Sequence, residues 1–347
     1  MYYNDKKERL LYIDVIKIIA ILGVILIHVA AHYWYRTPID SNKWEAMNMW
    51  NAIGRFGVSA FVMCSGVLFL NKEELKYKEL FKKYILRIAV AFIIWTFIYT
   101  VIKAKFNIEQ ILPILKKGIP SVHLWFMIMI IGIYIVIPII RIFIKNASKK
   151  DIEYFLLIAF IIQSIIPFLI QFEVFDWIKN YHKYLYPTVV TGYVGYFVLG
   201  YYLNKYELSK KKKICLIILG IISIVSTILL NLLKAQELNK PTTAFFNNFY
   251  PNIVFYSIGV FLFIKEICNK IKFNKITIKI ISRIGSLIFG VYLVHMIIRN
   301  ILDTYSVNAL MTNTYIAVPA TTGLVFIISL LIIYIVSKVP YLRRIVL

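Results

Sequence analysis

The sequence predicts an all-α integral membrane protein, a polytopic bundle of about ten transmembrane helices with both termini in the cytoplasm. Three observations lead to this fold class. Of the 347 residues, 60% are hydrophobic and only 16% are charged, whereas a soluble chain is about half apolar and about a quarter charged. The mean hydropathy is +0.74. The apolar residues gather in runs near the length of about 20 residues that a helix needs to cross a bilayer, and basic residues cluster between the runs.

Ten apolar runs, each bounded by charged or turn residues, predict the membrane spans. They run approximately from Leu10 to Ala31, Asn51 to Leu70, Ile85 to Ile102, His123 to Ile144, Ile152 to Phe172, Pro187 to Leu203, Ile214 to Leu233, Pro251 to Ile264, Ile280 to Ile298 and Tyr315 to Val336. The first run is too long for a signal-peptide core and is expected to stay as an anchor. The connections are too short for a second core, so residues 1–347 are expected to form a single domain.

The distribution of Lys and Arg predicts the orientation, because positively charged loops are retained in the cytoplasm. With the N-terminus inside, and with Arg87, Arg141 and Arg283 at the inner ends of their spans counted as inner, most of the 40 Lys and Arg residues fall in inner segments, and only Lys17 and Arg55 remain embedded in spans. The net charge of +23 therefore reflects topology, and no nucleic-acid partner is expected. Cys64, Cys215 and Cys268 lie in or beside apolar runs without metal-ligand spacing, so neither a disulfide framework nor a metal site is predicted.

The first span carries three ionisable residues, Asp14, Lys17 and His28. Such groups are costly at membrane depth, and each is therefore a candidate functional residue. Lys17 and His28 lie 11 residues apart, which places them on one helix face and separates them by about 16 Å along the axis. Lys17 is expected toward the cytoplasm and His28 toward the outside. Asp14 can pair with Lys17 one turn away, although both side chains could instead extend to the inner headgroups.

The second span contains Arg55 close to its outer end, followed by small residues. Ser59, Ser65, Gly57 and Gly66 provide the surface that close helix packing requires, and packing is their commoner role. Arg55 could reach the outer interface, or it could hold an anionic or hydroxyl-rich ligand.

The fourth span opens at the outer face with His123 and Trp125, and Tyr134 and Pro138 follow within it. Pro138 is expected to kink this helix and to open a cavity beside it.

Tyr292 and His295 are three residues apart near the outer end of the ninth span, and therefore share one helix face. His28, His123 and His295 are thus predicted at a similar depth. A lone buried histidine is usually structural, but three at one level beside Arg55 favour a polar site. A histidine with a pKa near neutrality can accept the proton of an alcohol that attacks an acyl carbonyl.

Other motifs exclude or leave open further functions. The GxSxG motif of soluble hydrolases and the Gly-rich phosphate loop of nucleotide hydrolases are both absent. The outer segment from Trp177 to Pro187 could stack against sugar rings, although aromatic belts at membrane interfaces are a commoner cause of such residues. Its candidate residues are Tyr181, His182, Tyr184 and Tyr186.

Several segments in the same order resemble the membrane-bound acyltransferase 3 family, especially its surface-polysaccharide O-acyltransferase branch. They are YIDVIKIIAILGVILIHV in span one, RFGVSAFVMCSGVLFL in span two, KKYILRIAVAFIIWTFIY around span three, HLWFMIMIIGIYIVIPIIR in span four, GYFVLGYYL in span six and ISRIGSLIFGVYLVH in span nine. In that family the first span carries a basic residue, ten intervening residues and a histidine. Lys17 and His28 match this spacing.

The resemblance implies a multi-pass protein of the bacterial plasma membrane. It would transfer an acyl group, usually acetyl, from cytoplasmic acyl-CoA to a hydroxyl of a cell-envelope polysaccharide or glycolipid. His28 would be the catalytic base or would handle the acyl group. Lys17 and Asp14 would complete the catalytic set, with Lys17 supporting the donor's passage or anionic groups, and Arg55 would line the site. The other residues expected to bind substrate are Ser65, His123, Trp125, Tyr134, Tyr292 and His295.

Acetyl-CoA would be the co-substrate, bound through Lys83 and Arg87. Many relatives carry an Arg-x-x-Arg pair at the cytoplasmic start of span three. This chain has Arg87 but Tyr84 at the earlier position, with Lys82 and Lys83 adjacent. The inner basic clusters could attract a polyanionic cofactor, although their role in topology is sufficient to explain most of them.

A secondary transporter is the main alternative, because buried Lys, Arg and His residues could serve an anionic solute or a proton relay. No inverted repeat supports it. A flippase or assembly scaffold for an envelope glycan is a third interpretation, and it would not need the chemistry of His28.

Overall fold

The structure, a computed structural model, describes residues 10–340 apart from 173, 175–177 and 179–191. Every regular element in these residues is helical, which confirms the all-α class. Nine helical segments of the described chain are long and apolar enough to cross a membrane, so this is a polytopic helical membrane protein. In chain order the helices are α1 Leu11–Ala30, α2 Asn42–Gly54, α3 Phe56–Leu70, α4 Tyr77–Lys103, α5 Ile108–Lys116, α6 Val122–Asn146, α7 Lys149–Leu169, α8 Gly192–Lys205, α9 Lys210–Leu238, α10 Pro251–Lys270, α11 Lys275–Thr304 and α12 Thr314–Val336.

The predicted spans correspond to these helices, with α2 and α3 together forming the second. The sixth predicted span, Pro187 to Leu203, overlaps α8, but residues 187–191 are outside the described part of the chain. The predicted aromatic segment from Trp177 to Pro187 also falls outside it, apart from Ile178.

Several helices begin before the apolar run that predicted them, because polar caps rather than hydropathy determine where a helix starts. Ser148 and Asp151 form a capping box at the start of α7. The Asn274 side chain accepts a hydrogen bond from the backbone N–H of Thr277 at 2.8 Å, which starts α11 five residues before the predicted boundary at Ile280. The apolar run predicts membrane depth, and the caps extend the helix beyond it.

The outer connections contain helices that the sequence analysis assigned to loops. Helix α2 begins at Asn42 rather than Asn51, because Ser41 caps it by accepting from the Trp44 N–H at 3.2 Å. Trp44 is fully buried, so this extension belongs to the core. Helix α5 is a nine-residue amphipathic helix without buried residues. Its exposed Ile108, Leu112 and Leu115 are typical of a helix that lies at a membrane interface.

Helix α1 packs at the centre of the described bundle, against α2, α3, α10, α11 and α12. Small residues permit the closest approaches. A Cβ atom on Gly57 would lie 2.7 Å from the carbonyl oxygen of Ala20, and one on Gly66 would lie 1.8 Å from that of Phe197. The prediction that Gly57 and Gly66 serve close helix packing is therefore confirmed.

Two helices contain π-helical turns, at Leu80–Ile85 in α4 and Ile161–Ile165 in α7. Such turns are rare and often occur at functional sites. Pro138 lies within α6 and lines a cavity of about 330 Å³, as predicted, together with Arg141 among others. Arg141 donates hydrogen bonds to the carbonyl oxygens of Phe69, at 2.6 Å, and of Lys72, at 2.7 Å, so it fastens α6 to the end of α3.

Candidate functional site

Three histidines from three helices meet at the end of the bundle that the distribution of Lys and Arg predicts to face outward, called the outer end below. The ring centroids of His28 on α1 and His295 on α11 are 5.4 Å apart. The His123 ring, at the start of α6, lies 5.0 Å from His295 and 6.4 Å from His28. We call these three residues the histidine cluster. Their predicted common depth is confirmed.

Tyr292 positions the histidine cluster through its hydroxyl and its backbone. The hydroxyl donates to the carbonyl oxygen of His123 at 2.5 Å, which ties α11 to the start of α6. The carbonyl oxygen of Tyr292 lies 2.6 Å from Nδ1 of His295. Because a carbonyl only accepts, Nδ1 of His295 carries the proton and Nε2 keeps its lone pair. The hydroxyl of Tyr292, predicted to bind substrate, is thus used within the protein.

The three rings differ in access. His123 and His295 are 2% and 0% exposed, and the Nε2 atom of each is buried without a hydrogen-bond partner in the described chain. His28 is only half-buried. A buried polar atom without a partner costs free energy, so these atoms mark a place where a polar ligand would gain hydrogen bonds. His28 is the ring of the cluster that a ligand can reach.

Two residues beside the histidine cluster were missed by the sequence analysis. The Tyr99 ring packs 4.9 Å from His123, and its hydroxyl donates to the carbonyl oxygen of Leu293 at 2.8 Å. Arg299 lies close enough to act electrostatically on His28. Arg299 follows His295 by four residues, so helix periodicity alone predicts that the two side chains share one helix face. Tyr99 carried no comparable signal among the 25 tyrosines.

A polar network closes the outer side of this region. Asp303, near the end of α11, accepts from the Tyr33 hydroxyl at 2.6 Å and lies 3.0 Å from Nε2 of His32. Burial lowers the pKa of His32 and Arg299 adds to that effect, while the hydrogen bond to Asp303 opposes it. The same carboxylate raises the pKa of Tyr33.

Lys17 and Asp14 form the predicted ion pair at the inner end of α1, with Nζ 3.6 Å from Oδ1. Asp14 is 3% exposed. It packs against the backbone of α11, where a Cβ atom on Gly285 would lie 2.6 Å from Asp14 Oδ1. Asp14 is therefore inside the bundle rather than at the headgroups, which excludes the alternative for this residue.

A second polar group lies around the first π-helical turn, at the inner end of α4. The Lys72 ammonium donates to the Tyr84 hydroxyl at 2.8 Å. Glu79 lies 3.8 Å from Lys72 and 3.5 Å from Lys83. Lys83, predicted to bind the cofactor, is exposed, and its ammonium lies 5.6 Å from the centroid of the Tyr84 ring. We call Lys72, Lys83, Tyr84 and Arg87 the inner basic group.

Arg87 connects the inner basic group with residues that were predicted for the outer site. Tyr134 lies close to Ser65 and within electrostatic range of Arg87 and Tyr84. Tyr134 is 11 residues after His123, which places it about 16 Å deeper along α6. The structure therefore groups Ser65 and Tyr134 with Arg87 and not with the histidine cluster.

Aromatic rings on one face of α11 bridge the two groups. The Arg87 guanidinium lies 6.0 Å from the centroid of the Phe289 ring. Phe289 stacks on Tyr292 at 6.4 Å, and Tyr292 lies 6.0 Å from His295. A continuous line of side chains thus leads from the inner basic group to the histidine cluster.

Arg55 lines a cavity beside the cluster, which we call the outer basin. Arg55 donates to Asn51 Oδ1 at 2.6 Å, and its guanidinium lies 4.5 Å from the Phe246 ring centroid. The outer basin has a volume of about 500 Å³ and is also lined by Gln171, Thr242, Thr243, Ala244, Phe246, Asn247 and Tyr250. Arg55 also lies within electrostatic range of His28. The Trp125 ring faces Tyr193 at 5.9 Å rather than the histidines.

These features define the class of protein: a multi-pass helical membrane protein with a histidine-lined polar site near one end and a basic group near the other. Among the described residues, no group of His, Cys, Asp or Glu side chains is arranged to hold a metal ion.

The comparison with protein families identifies this class more closely. The model of the acyltransferase 3 family, described as an acyltransferase domain, matches residues 10–338. The chain therefore belongs to this family and is a membrane acyltransferase. Comparisons with curated proteins and with solved structures found no match.

Proposed function

We propose that this protein transfers an acetyl group from cytoplasmic acetyl-CoA to a hydroxyl of a cell-envelope polysaccharide or glycolipid in a bacterial plasma membrane. The observation that carries the proposal is the histidine cluster, in which the half-buried His28 ring lies against the buried His295. A histidine is the side chain best suited to take a proton from an alcohol near neutral pH.

In the proposed reaction, His28 takes the proton of the acceptor hydroxyl as its oxygen attacks the acyl carbonyl. The new carbon–oxygen bond forms as the carbon–sulfur bond of the thioester breaks, and the CoA sulfur leaves as a thiol with the proton that His28 took from the acceptor. Arg299, which lies within electrostatic range of His28, favours the negative charge that develops on the carbonyl oxygen. Each residue thus has a separate task.

The donor approaches from the inner side. The phosphates of CoA would be held at the inner basic group, since Arg87 and Lys83 carry positive charge toward the cytoplasm. The acyl end would then reach His28 along α1, α3, α6 and α11. Asp14 and Lys17 lie at the inner part of this route, and the 3.6 Å ion pair holds Lys17 near it.

The test is acyl transfer by purified protein in liposomes, with radiolabelled acetyl-CoA and an envelope glycolipid extract as acceptor. We expect His28→Ala to lower the rate by about 100-fold or more, the usual contribution of a general base. Leu22→Ala on the same helix is the matched control, because Leu22 is half-buried and its place in the sequence puts it about 120° around the helix from His28. A His28→Ala protein that still acylates the glycolipid at the parent rate would refute the role of His28.

A transporter or flippase would behave differently in the same liposomes. It would move solute or glycolipid across the bilayer without producing labelled glycolipid. Labelled product in the parent protein therefore supports the acyltransferase, and its absence with every acceptor, despite binding of CoA, would show that the proposed acceptor is wrong.

A further inference from the structure

A long cavity on the side of the bundle is separate from the site described above. It has a volume of about 350 Å³ and lies between α7, α8 and α10. Gly192 and Phe249 line one end, and Leu203 and Glu153 line the other. Gly192 and Leu203 are both on α8, and their separation of 11 residues corresponds to about 16 Å along the helix. We call this cavity the lateral groove.

The walls of the lateral groove are almost entirely apolar. The polar groups at its two ends are already engaged: Tyr202 donates to Glu153 at 2.5 Å, and Tyr196 donates to the carbonyl oxygen of Asn248. Leu157, which lines the groove, is 55% exposed, so the groove opens sideways. At this depth a bilayer supplies hydrocarbon rather than water, and the groove fits a hydrocarbon chain.

The local backbone creates the space. The π-helical turn Ile161–Ile165 carries Gln163 and Ser164 into the lining, and π-turns often occur at functional sites. Gly195 contributes no side chain, and a Cβ atom there would lie 3.5 Å from the Cβ of Ala159 across the groove. A larger residue at Gly195 would fill the groove.

The outer end of the lateral groove continues into the outer basin. Phe249 lines the groove, and its ring packs on Tyr193 at 4.7 Å. Tyr193 also packs on Trp125 and lies within electrostatic range of Arg55. Asn247 and Tyr250, on either side of residues 248–249, line the Arg55 cavity. One short segment of chain thus separates the groove from the basin.

Arg55 offers an anion site at this junction. Its Nε atom is buried without a hydrogen-bond partner, and no carboxylate in the described chain lies within ion-pair distance of it. A half-buried guanidinium whose Nε is enclosed without an anionic partner is costly, and its planar fork matches the geometry of a phosphate. A phosphate at Arg55 would lie between the groove and the histidine cluster.

We propose that the acceptor is a glycan joined by a phosphate to a long hydrocarbon chain, with the chain in the lateral groove, the phosphate at Arg55 and the sugar facing His28. This inference rests on the proposed function and specifies its acceptor. Membrane lipid tails are as apolar as the groove, so close packing of the chain against the groove walls, rather than transfer out of lipid, holds the acceptor. Arg55 distinguishes the acceptor from other lipids.

The kinetic test uses the full-length protein in phosphatidylcholine vesicles with labelled acetyl-CoA. Two acceptors carry the same phosphorylated glycan, one on a long isoprenoid chain and one on a methyl group. We expect Gly195→Leu to raise KM for the long-chain acceptor about tenfold with kcat unchanged, the pattern of lost binding that is equal in ground and transition states. KM for the methyl acceptor should not change.

Matched variants guard against a folding defect. Leu157→Trp fills the groove from its exposed side and should reproduce the effect. Gly132→Leu in α6 is the control, because a Cβ atom there meets nothing within 4 Å and Gly132 lines none of the cavities described above. Equal KM changes for both acceptors, or none for the long-chain acceptor in either groove variant, would overturn the proposal.

A binding experiment separates this inference from the proposed function. A long-chain acceptor bearing a photoreactive diazirine in the chain is irradiated with the parent protein, and labelled peptides are mapped by mass spectrometry. Labelling of Gly192–Lys205 that is displaced by unlabelled acceptor, but not by excess phosphatidylcholine, supports the groove even if no acetyl transfer occurs. Equal displacement by phosphatidylcholine would show a general lipid site and overturn the proposal.

Discussion

At the scale of single residues, the inner basic group shows how one side chain changes a binding surface. Tyr84 stands where the family resemblance leads us to expect an arginine, and its hydroxyl accepts a hydrogen bond from Lys72 at 2.8 Å. Lys72 therefore occupies space near the position that an arginine side chain would take, but it is a point charge without the planar fork that binds phosphate at two points.

The first prediction follows from the presence of Tyr84 at this position. Tyr84→Arg should lower KM for acetyl-CoA several-fold and leave kcat nearly unchanged, because it adds a phosphate contact remote from the reacting atoms. Steady-state kinetics in liposomes would measure both constants, and Tyr84→Phe serves as the control that removes the hydroxyl without adding charge. A higher KM in the Tyr84→Arg protein would argue against donor binding at this place.

The second prediction concerns His32 at the outer rim. Its pKa is lowered from 6.5 by burial and by Arg299. A histidine with a lowered pKa stabilises the folded state above its ordinary pKa, and this contribution is lost as the pH falls through the lower, folded value. We expect the melting temperature to fall on acidification below about pH 6.5, and to fall less in His32→Gln. Tyr33 and Asp303 face His32 and hydrogen-bond in the same network, and Arg36 and Arg299 supply the nearby positive charges.

At the scale of helices, the contact between α3 and α8 depends on missing side chains. A Cβ atom on Gly66 would lie 1.8 Å from the carbonyl oxygen of Phe197, and one on Gly200 would lie 2.2 Å from that of Met63. These neighbours are backbone atoms, which cannot rotate away. The two helices can therefore approach this closely only while both positions are glycine.

The third prediction tests this contact. Gly66→Leu should destabilise the protein by about 3 kcal/mol or more, because overpacking against backbone forces the helices apart. Thermal unfolding in detergent, followed by the amount of monodisperse protein, would measure the loss. Gly132→Leu, in open space on α6, should melt within a few degrees of the parent protein. Comparable melting of both variants would contradict the close packing.

At the scale of the whole molecule, the orientation of the protein in the membrane decides which end of the site faces the cytoplasm. The histidine cluster and the inner basic group lie toward opposite ends of the bundle, about 16 Å apart along α6 as judged from His123 and Tyr134. The donor and the acceptor can therefore meet the protein from opposite sides only if the basic end faces the cytoplasm.

The fourth prediction tests that orientation. In a chain whose Cys64, Cys215 and Cys268 are replaced by Ser, Lys240→Cys should react with a membrane-impermeant maleimide in intact cells. Lys272→Cys should react only after permeabilisation. Both positions are exposed, and they lie on either side of α10. The opposite labelling pattern would reverse the topology and, with it, the assignment of the donor side.

The sequence alone determined the class of fold, the approximate spans and several members of the site. Hydropathy and the positions of Lys and Arg act along the chain, and the bilayer makes them decisive because backbone groups must be satisfied within each helix. The spacing of Lys17 and His28, and of Tyr292 and His295, follows from helix periodicity and needs no tertiary information. The family resemblance added the expected chemistry.

Tertiary packing decided which of these residues meet. Ser65 and Tyr134 were assigned to the outer site, but depth along α3 and α6 groups them with Arg87. The sequence did not predict Tyr99 and Phe289 as site residues. An aromatic residue within an apolar run has the same sequence context whether it packs beside a site or elsewhere in the core. The lateral groove depends on how α7, α8 and α10 pack, which no local pattern contains. Contacts between helices depend on the shapes of several distant segments at once, and for that physical reason only the folded structure could decide them.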